Sequence, residues 1–276
     1  MSRGTEKAPM KRKILPFLLL AALLLSACGQ STGYGIRSIE TLVSQDYFLA
    51  FRNDDPTYFY IIAALDTLAA EGRVGELAGK WLGSPTAVDF DPDAEALSRL
   101  TPPEPRNFII GLDINSFPMA YISGGSFWGF DVELANAVCE KLGWSLQMQA
   151  IESANVYVEL SSGNIDCAWG GIAVDRKDID AKKLTVYGPY IHNDIIIATR
   201  ANSNINSKLK LNGKKMCMSS TQEAIDALNA DASLSRRLDQ ITRLAGGTAE
   251  CFEYLYAGKC DVVLTDSTAL LYFNCH

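Results

Sequence analysis

Apolar residues recur at two spacings along most of this chain. From Phe108 to Leu112 they form a short run that ends at Asp113; after a polar loop, Val132, Ala135, Val138, Cys139 and Leu142 return at helical intervals until Gly143. The first pattern fits a buried strand, and the second puts its residues on one face of a helix that the glycine closes. A strand, a binding-type loop and an amphipathic helix in this order open an α/β domain.

The same reading extends to both sides of that unit. Residues 46–52 predict a strand, Asp54 to Thr57 a loop and helix start, and Tyr58, Ile61, Ile62, Leu65, Leu68 and Ala69 a helical face broken at Gly72. Val74, Leu77, Ala78 and Trp81 form a second short face stopped by Gly83. Residues 84–106 hold five of the ten prolines without sustained periodicity, so they read as a linker with a turn of helix near 94–100. Strands are expected at 146–150, 165–169 and 195–199. In the last third strands at 214–218, 241–244 and 261–264 alternate with helices at 221–230, 249–256 and 267–273. This alternation predicts a largely parallel sheet. A faint echo between SSGNIDCAW at 161–169 and YAGKCDVVL at 256–264 fits two similar lobes, or chance.

Composition narrows the class. With 276 residues, 48% hydrophobic and 21% charged, the chain can bury one large or two small cores, and disorder is excluded. The net charge is −7; without residues 1–27, which carry five of the 25 Lys and Arg and one of the 32 Asp and Glu, it is −11. So acidic a chain argues against nucleic-acid binding. Lys11, Arg12 and Lys13 precede the apolar run Ile14 to Leu25, which is too short to span a membrane and is followed by small residues, as in an export signal. The junction Leu25, Ser26, Ala27, Cys28 resembles a lipoprotein signal, which implies cleavage before Cys28 and lipidation of its thiol. An uncleaved anchor or an ordinary secretory peptide is the alternative. Residues 28–35 then form a tether.

Six further cysteines show no CxxC pair, and the only histidines are His192 and His276, so neither a metal site nor a cofactor is expected. Cys139 and Cys217 read as core residues; Cys251 and Cys260 flank a helix-to-strand turn and either pair or stay free.

Five blocks, GFDVELANAVCEKLG at 129–143, LSSGNIDCAWGGI at 160–172, YGPYIHNDIIIAT at 187–199, LNGKKMCMSSTQEAI at 211–225 and AGKCDVVLTD at 257–266, carry a family resemblance. In this order they resemble the extracellular solute-binding proteins of family 3, the polar amino acid receptors of ABC importers. The resemblance implies a two-lobed periplasmic-binding-protein type 2 fold. It also implies a circular permutation, because the family's closing strand and helices are matched by residues 39–83, ahead of the opening unit. Lobe 1 would then combine 50–83 with 107–197, lobe 2 would combine 36–44 with 202–276, and 84–106 would join the former ends. A remnant of one domain followed by a truncated second is the competing arrangement.

The same resemblance supplies candidate ligand residues. Asp266 matches the aspartate that holds a ligand ammonium, although capping the helix near Ser267 is its alternative role. Ser220 and Thr221 match a helix start that offers N–H groups to a carboxylate, and both are equally expected as plain caps. Asp113 is placed to meet a polar ligand end. Arg176 is the candidate carboxylate clamp, or a solvated surface arginine, since its match requires a two-residue deletion. The aromatic positions of the family fall on Ser116, with Phe117 beside it, and on Ser153; its threonine after the glycine turn at Gly171 falls on Ala173. Phe117, Tyr121, Trp128 and Trp169 are the aromatics available to replace those walls.

The function implied is that of a lipid-anchored receptor, on the outer face of the cell membrane or in the periplasm. It would capture a small polar solute, an amino acid or a similar compound, for the membrane subunits of an ABC importer. A sensory or scaffold lipoprotein with a remodelled or lost site is the first alternative. An enzyme of dehydratase or lyase type on the same fold is the second. Neither histidine sits in a nucleophile or acid–base constellation, which favours binding over chemistry.

Overall fold

A computed structural model describes residues 35–173, 179 and 184–276. Cys28 and Arg176 lie outside the described residues.

Two strands of 17 residues organise the fold. β1, Ile36–Arg52, runs antiparallel to β7, Leu184–Arg200, paired from Ile36 opposite Arg200 to Arg52 opposite Leu184 with three register shifts between. On one side they meet β2 (Asn107–Leu112), β5 (Ser145–Ala150) and β6 (Cys167–Ala168); on the other they meet β8 (Lys215–Ser219), β9 (Gln240–Leu244) and β10 (Val262–Asp266). The result is one eight-stranded sheet of order β5-β2-β6-β1-β7-β10-β8-β9. Pairing is parallel within each flank and antiparallel along the two long strands. The expected largely parallel sheet is therefore corrected to a mixed one. Alternating strands and helices predict parallel neighbours only within a flank, and they say nothing about strands that pass through both.

Each strand feeds two cores by its alternation. In β1, Tyr47, Leu49 and Phe51 join a cluster with α1 (Thr57–Ala70), α2 (Arg73–Leu82) and α3 (Phe130–Leu142), while Ala50 joins a second cluster with α4 (Val156–Ser162). In β7, Ile195 and Ile197 pack with Ala224, Ala227 and Leu228 of α5 (Gln222–Ala230) and Leu234 of α6 (Ala232–Arg237). Ile196 and Ala198 pack with α7 (Gly247–Tyr256) and α8 (Ser267–Cys275) on the opposite face. Four apolar clusters, two per flank, pack helices onto this sheet in a mixed α/β architecture.

Three local features differ from expectation. The strands predicted at 46–52 and 195–199 are the apolar ends of β1 and β7; the other half of β1 mixes Ser38, Glu40 and Ser44 with apolar residues, and that of β7 carries Gly188, Pro189, His192 and Asp194, which hide the period. A hairpin not foreseen, β3 (Tyr121–Ser123) and β4 (Ser126–Trp128), turns on Gly124 and Gly125 at φ of 59° and 79°, where glycine alone is unstrained. Residues 84–106 are more than a spacer. Phe90 is buried between the rings of Tyr187 and Tyr190 at 6.2 and 5.7 Å, Asp89 N–H donates to Tyr190 O at 2.8 Å, and Asp93 N–H donates to Asp66 O at 3.0 Å.

The six cysteines among the described residues are free, Cys251 and Cys260 included. No helix among them is long and apolar enough to cross a membrane. The first described strand begins beside the last helix: Ile36 N–H donates to Asn274 Oδ1 at 2.9 Å, and Asn274 Nδ2 donates to Ile36 O at 3.0 Å.

Candidate ligand-binding site

The site is built where loops from both flanks approach the middle of β1 and β7. Asp113 ends β2. Its Oδ1 accepts Asn115 N–H at 3.0 Å and Asn115 Nδ2 at 3.2 Å, and its Oδ2 accepts the Ser153 hydroxyl at 2.7 Å. Three donors on one buried carboxyl fix its direction. Ser153, at a position where the resemblance places an aromatic wall, thus serves as a partner of Asp113.

Opposite lies the turn after β6. Gly171 has φ of 64°, and a Cβ there would sit 2.1 Å from Ser116 Cβ, so only glycine lets the two loops approach. Ser116 closes the contact by donating its hydroxyl to Gly171 O at 3.2 Å. From behind, Asp131 in the first turn of α3 accepts Gly171 N–H at 3.1 Å, Trp169 Nε1 at 3.3 Å and the Tyr190 hydroxyl at 2.8 Å. Burial nevertheless pushes its carboxyl up to about 7, with the three donors opposing. Trp169 is fully buried in this network, which removes it from the aromatics available as ligand walls.

The other flank contributes Thr221 and Asp266. Thr221 precedes α5 and accepts Ala224 N–H on its hydroxyl at 3.3 Å, so it acts as the helix cap. Asp266 ends β10 in the position that would cap α8, with φ of −75° and ψ of 144°, but its side chain makes no capping bond. Asn193 of β7 fills that role. Its Oδ1 accepts Thr268 N–H at 3.3 Å, the Thr268 hydroxyl at 3.2 Å and the Ser267 hydroxyl at 3.3 Å. Its Nδ2 donates to Asp266 Oδ1 and to the Tyr47 hydroxyl, both at 2.8 Å. The Tyr47 hydroxyl in turn donates to Asp266 Oδ1 at 3.4 Å.

Asp113, Ser116, Gly171, Ala173, Thr221 and Asp266, six of the nine residues expected from sequence, line one cleft of about 80 Å³ together with Tyr47, Ser153 and Glu223. Phe117 and Ser220 line an adjoining groove of about 500 Å³, where Phe117 packs on Tyr121 and Tyr272 at 5.0 and 4.8 Å and Ser220 donates to Leu244 O at 3.3 Å. Trp128, the fourth candidate wall, is half exposed on the hairpin and donates its Nε1 to Ser123 O at 3.2 Å.

The described cleft is acidic. Burial pushes the Asp266 carboxyl up to about 6, the Asn193 bond opposes this, and Glu223 and Asp113 add to it. Glu223 is raised by burial and by Asp113, Asp226 and Glu152. Three carboxyl groups gathered in one cleft suit a positively charged ligand group, whose ammonium would be held by charge-assisted hydrogen bonds.

Sequence reasoning missed Tyr47, Asp131, Asn193 and Glu223. The signal for Asp131 is an acid in the first turn of a helix that directly follows Gly129 and Phe130; for Asn193 it is an amide at the edge of an isoleucine run, where burial demands partners on both ends.

Residues 108–244 match the bacterial extracellular solute-binding proteins, family 3. The chain is similar to the probable amino-acid-binding protein YxeM of Bacillus subtilis, 30% identical over 38% of this chain and 39% of that protein. It is also similar to a probable amino-acid ABC transporter-binding protein of Haemophilus influenzae, 25% identical over 62% of this chain and 64% of that one. A solved polar amino acid ABC uptake transporter substrate-binding protein from Streptococcus thermophilus is 29% identical, with a TM-score of 0.44 over 58% of this chain and 61% of that chain. The chain spans from about two fifths to just under two thirds of the length of the curated relatives it matches. Residues 108–244, the part of the chain that matches the bacterial extracellular solute-binding proteins, family 3, hold Asp113, Asp131, Gly171, Asn193 and Thr221.

Proposed function

We propose that this chain is the receptor of an ABC importer, anchored through a lipid on Cys28 at the outer face of the cell membrane or in the periplasm, and that it captures an amino acid by closing its two lobes on the cleft. The observation that carries the reading is Asp266: it stands at a helix N-terminus yet turns its carboxyl into an acidic cleft, leaving the cap to Asn193. A ligand ammonium would bind there. Asp113 meets the next polar group, Ser116, Gly171 and Ala173 line the wall, and Ser220, Thr221 and Phe117 flank the way into the groove. Arg176 is the candidate for the ligand carboxylate. Relatives described as amino-acid-binding, and one described as the arginine-binding extracellular protein ArtP of Bacillus subtilis, support the ligand class.

Closure would occur about β1 and β7, since both lobes share these two strands. The contact between Ile36 and Asn274 supports the permuted order, because a chain opened there needs those residues side by side.

The test is a thermal-shift screen of the purified protein against the twenty standard amino acids, short peptides, polyamines and sugars. A ligand at a hundred times its Kd adds about 2.7 kcal/mol of stability. A hit among the amino acids supports the receptor. Silence from a cooperatively folded protein moves the sensory or scaffold reading ahead, and turnover of a bound compound would favour the enzyme.

A further inference from the structure

We propose that Asn193 is the positioning residue that keeps Asp266 available to a ligand: its carbonyl oxygen caps α8 in place of Asp266, and its amide nitrogen holds the Asp266 carboxyl in the cleft. The inference rests on the reading of Asp266 as the acceptor of a ligand ammonium.

Aspartate is among the strongest helix caps, and the Asp266 backbone already has the extended conformation of a cap. With the Thr268 N–H unsatisfied, the least costly rearrangement is for Asp266 to turn onto it, which withdraws the carboxyl from the cleft. Asn193 blocks this by supplying an oxygen to Thr268 N–H first. Its side chain is fully buried, so both ends of the amide need partners. They are satisfied in one orientation only. Reversing the amide would set its NH2 against the Thr268 N–H and its oxygen against the Asp266 carboxyl, two repulsive contacts in place of two bonds. The second bond of Nδ2, to Tyr47, extends the unit across both long strands, since Tyr47 lies on β1 and Asn193 on β7. The carboxyl that meets the ligand is therefore fixed to the two strands that the lobes share.

The test is a 13C titration of aspartate side chains in the ligand-free protein, with Asp266 assigned by its loss in Asp266→Asn. The charged and titratable groups that face Asp266 are Glu223 from α5, Asp113 from the loop after β2 and Tyr47 from β1, and the variants leave all three in place. In Asn193→Ala, Asp266 turns to cap α8, gains a backbone N–H and a helix N-terminus, and titrates below its wild-type midpoint. In Asn193→Asp a capping oxygen remains, the donor is lost and a second carboxyl stands beside the first, so the upper apparent midpoint of the pair rises above about 6. Opposite signs at one position are a signature that a purely structural role does not produce. Calorimetry with L-arginine and L-glutamine supplies the binding arm. Asn193→Ala weakens whichever binds by at least tenfold, and Tyr47→Phe, which removes only a hydroxyl, weakens it by less than threefold.

A midpoint in Asn193→Ala at or above the wild-type value, or an affinity within threefold of wild type, overturns the proposal. Should that variant fail to fold, Asn193→Asp carries the test, and an upper midpoint at or below the wild-type value overturns it. If the wild-type protein binds no amino acid at all, the proposed function fails by itself, while the two titration signs still decide what holds Asp266.

Discussion

Replacing Asp131 with alanine strands three donors at once. Trp169 Nε1, Gly171 N–H and the Tyr190 hydroxyl all end on this carboxyl, at 3.3, 3.1 and 2.8 Å, and Trp169 and Tyr190 are fully buried. A buried donor left without an acceptor costs about 1–3 kcal/mol, so with partial relaxation the loss is about 3–6 kcal/mol. Set against a whole-domain stability of about 5–15 kcal/mol, Asp131→Ala brings the protein close to unfolding. Asp131→Asn keeps one acceptor oxygen and opposes one donor with its own NH2, so it costs about 1–3 kcal/mol. Urea unfolding at pH 7 measures both, and the expected order is wild type, then Asn, then Ala. A loss below about 1 kcal/mol for alanine would refute the assignment of this carboxyl as the anchor of the Gly171 turn.

The pH dependence has a definite sign. Burial raises the Asp131 carboxyl from 3.8 to about 7, so the folded protein holds this proton more tightly than the unfolded chain. Its contribution is fully present below about pH 4 and is lost as pH rises through about 7. A shift of about three units corresponds to a change on the order of 4 kcal/mol over that window. The stability gap between wild type and Asp131→Asn should therefore narrow from pH 5 to pH 8, because the asparagine does not titrate. A gap that stays constant would mean that the three donors fully compensate burial.

Three further outcomes follow from particular contacts. Asp266→Ala should lower amino acid affinity by at least a hundredfold while leaving the ligand-free melting temperature nearly unchanged, because α8 takes its cap from Asn193; a collapse of the fold would return Asp266 to the capping role. Phe90→Ala should cost about 3 kcal/mol in urea unfolding, since the ring is buried against Tyr187 and Tyr190, and should expose residues 84–106 to limited proteolysis; an unchanged midpoint would make them a spacer after all. Gly171→Ala should cost more than about 2 kcal/mol, from positive φ and from its contact with Ser116, and Ser116→Gly in the same chain should recover part of that cost; no recovery would place the strain elsewhere.

Fold class and most of the cleft were legible because they depend on local signals. Asp113 and Asp266 each end an apolar strand, Thr221 opens a helix, and Gly171 sits in a glycine pair, so each could be placed from its neighbours in sequence. What stayed hidden depends on partners far away in the chain. Whether Asp266 caps a helix or faces a cleft is decided by Asn193, 73 positions earlier, and local pattern leaves both roles open. The long strands were half visible for a similar reason. Their apolar ends cross a buried core, whereas Ser38, Glu40 and Ser44 lie where β1 is only partly covered. The linker looked unstructured because prolines interrupt its period, yet one ring, Phe90, is enough to attach it to Tyr187 and Tyr190.

The proposed permutation can be tested by undoing it. Ile36 and Asn274 exchange two hydrogen bonds, so a linker of a few glycines and serines after His276 can return the chain to Gly35 without strain, at about 3.3–3.6 Å of reach per residue. The new opening belongs after Pro102, where residues 101–106 are mostly exposed and Phe90 keeps its place in the core. The rearranged chain, 103–276 followed by the linker and 35–102, keeps the residues of every strand pair of the eight-stranded sheet in one chain and has the order that the proposed permutation implies for the family. If the present order is a permutation of one binding domain, this protein should unfold in a single transition with an unchanged urea slope, and bind the same amino acid within a few-fold of the original affinity. If instead residues 36–83 are a remnant beside a truncated domain, the order in which they are joined would matter to the fold. The rearranged chain would then lose cooperativity or binding, and the two-piece reading would replace the permutation.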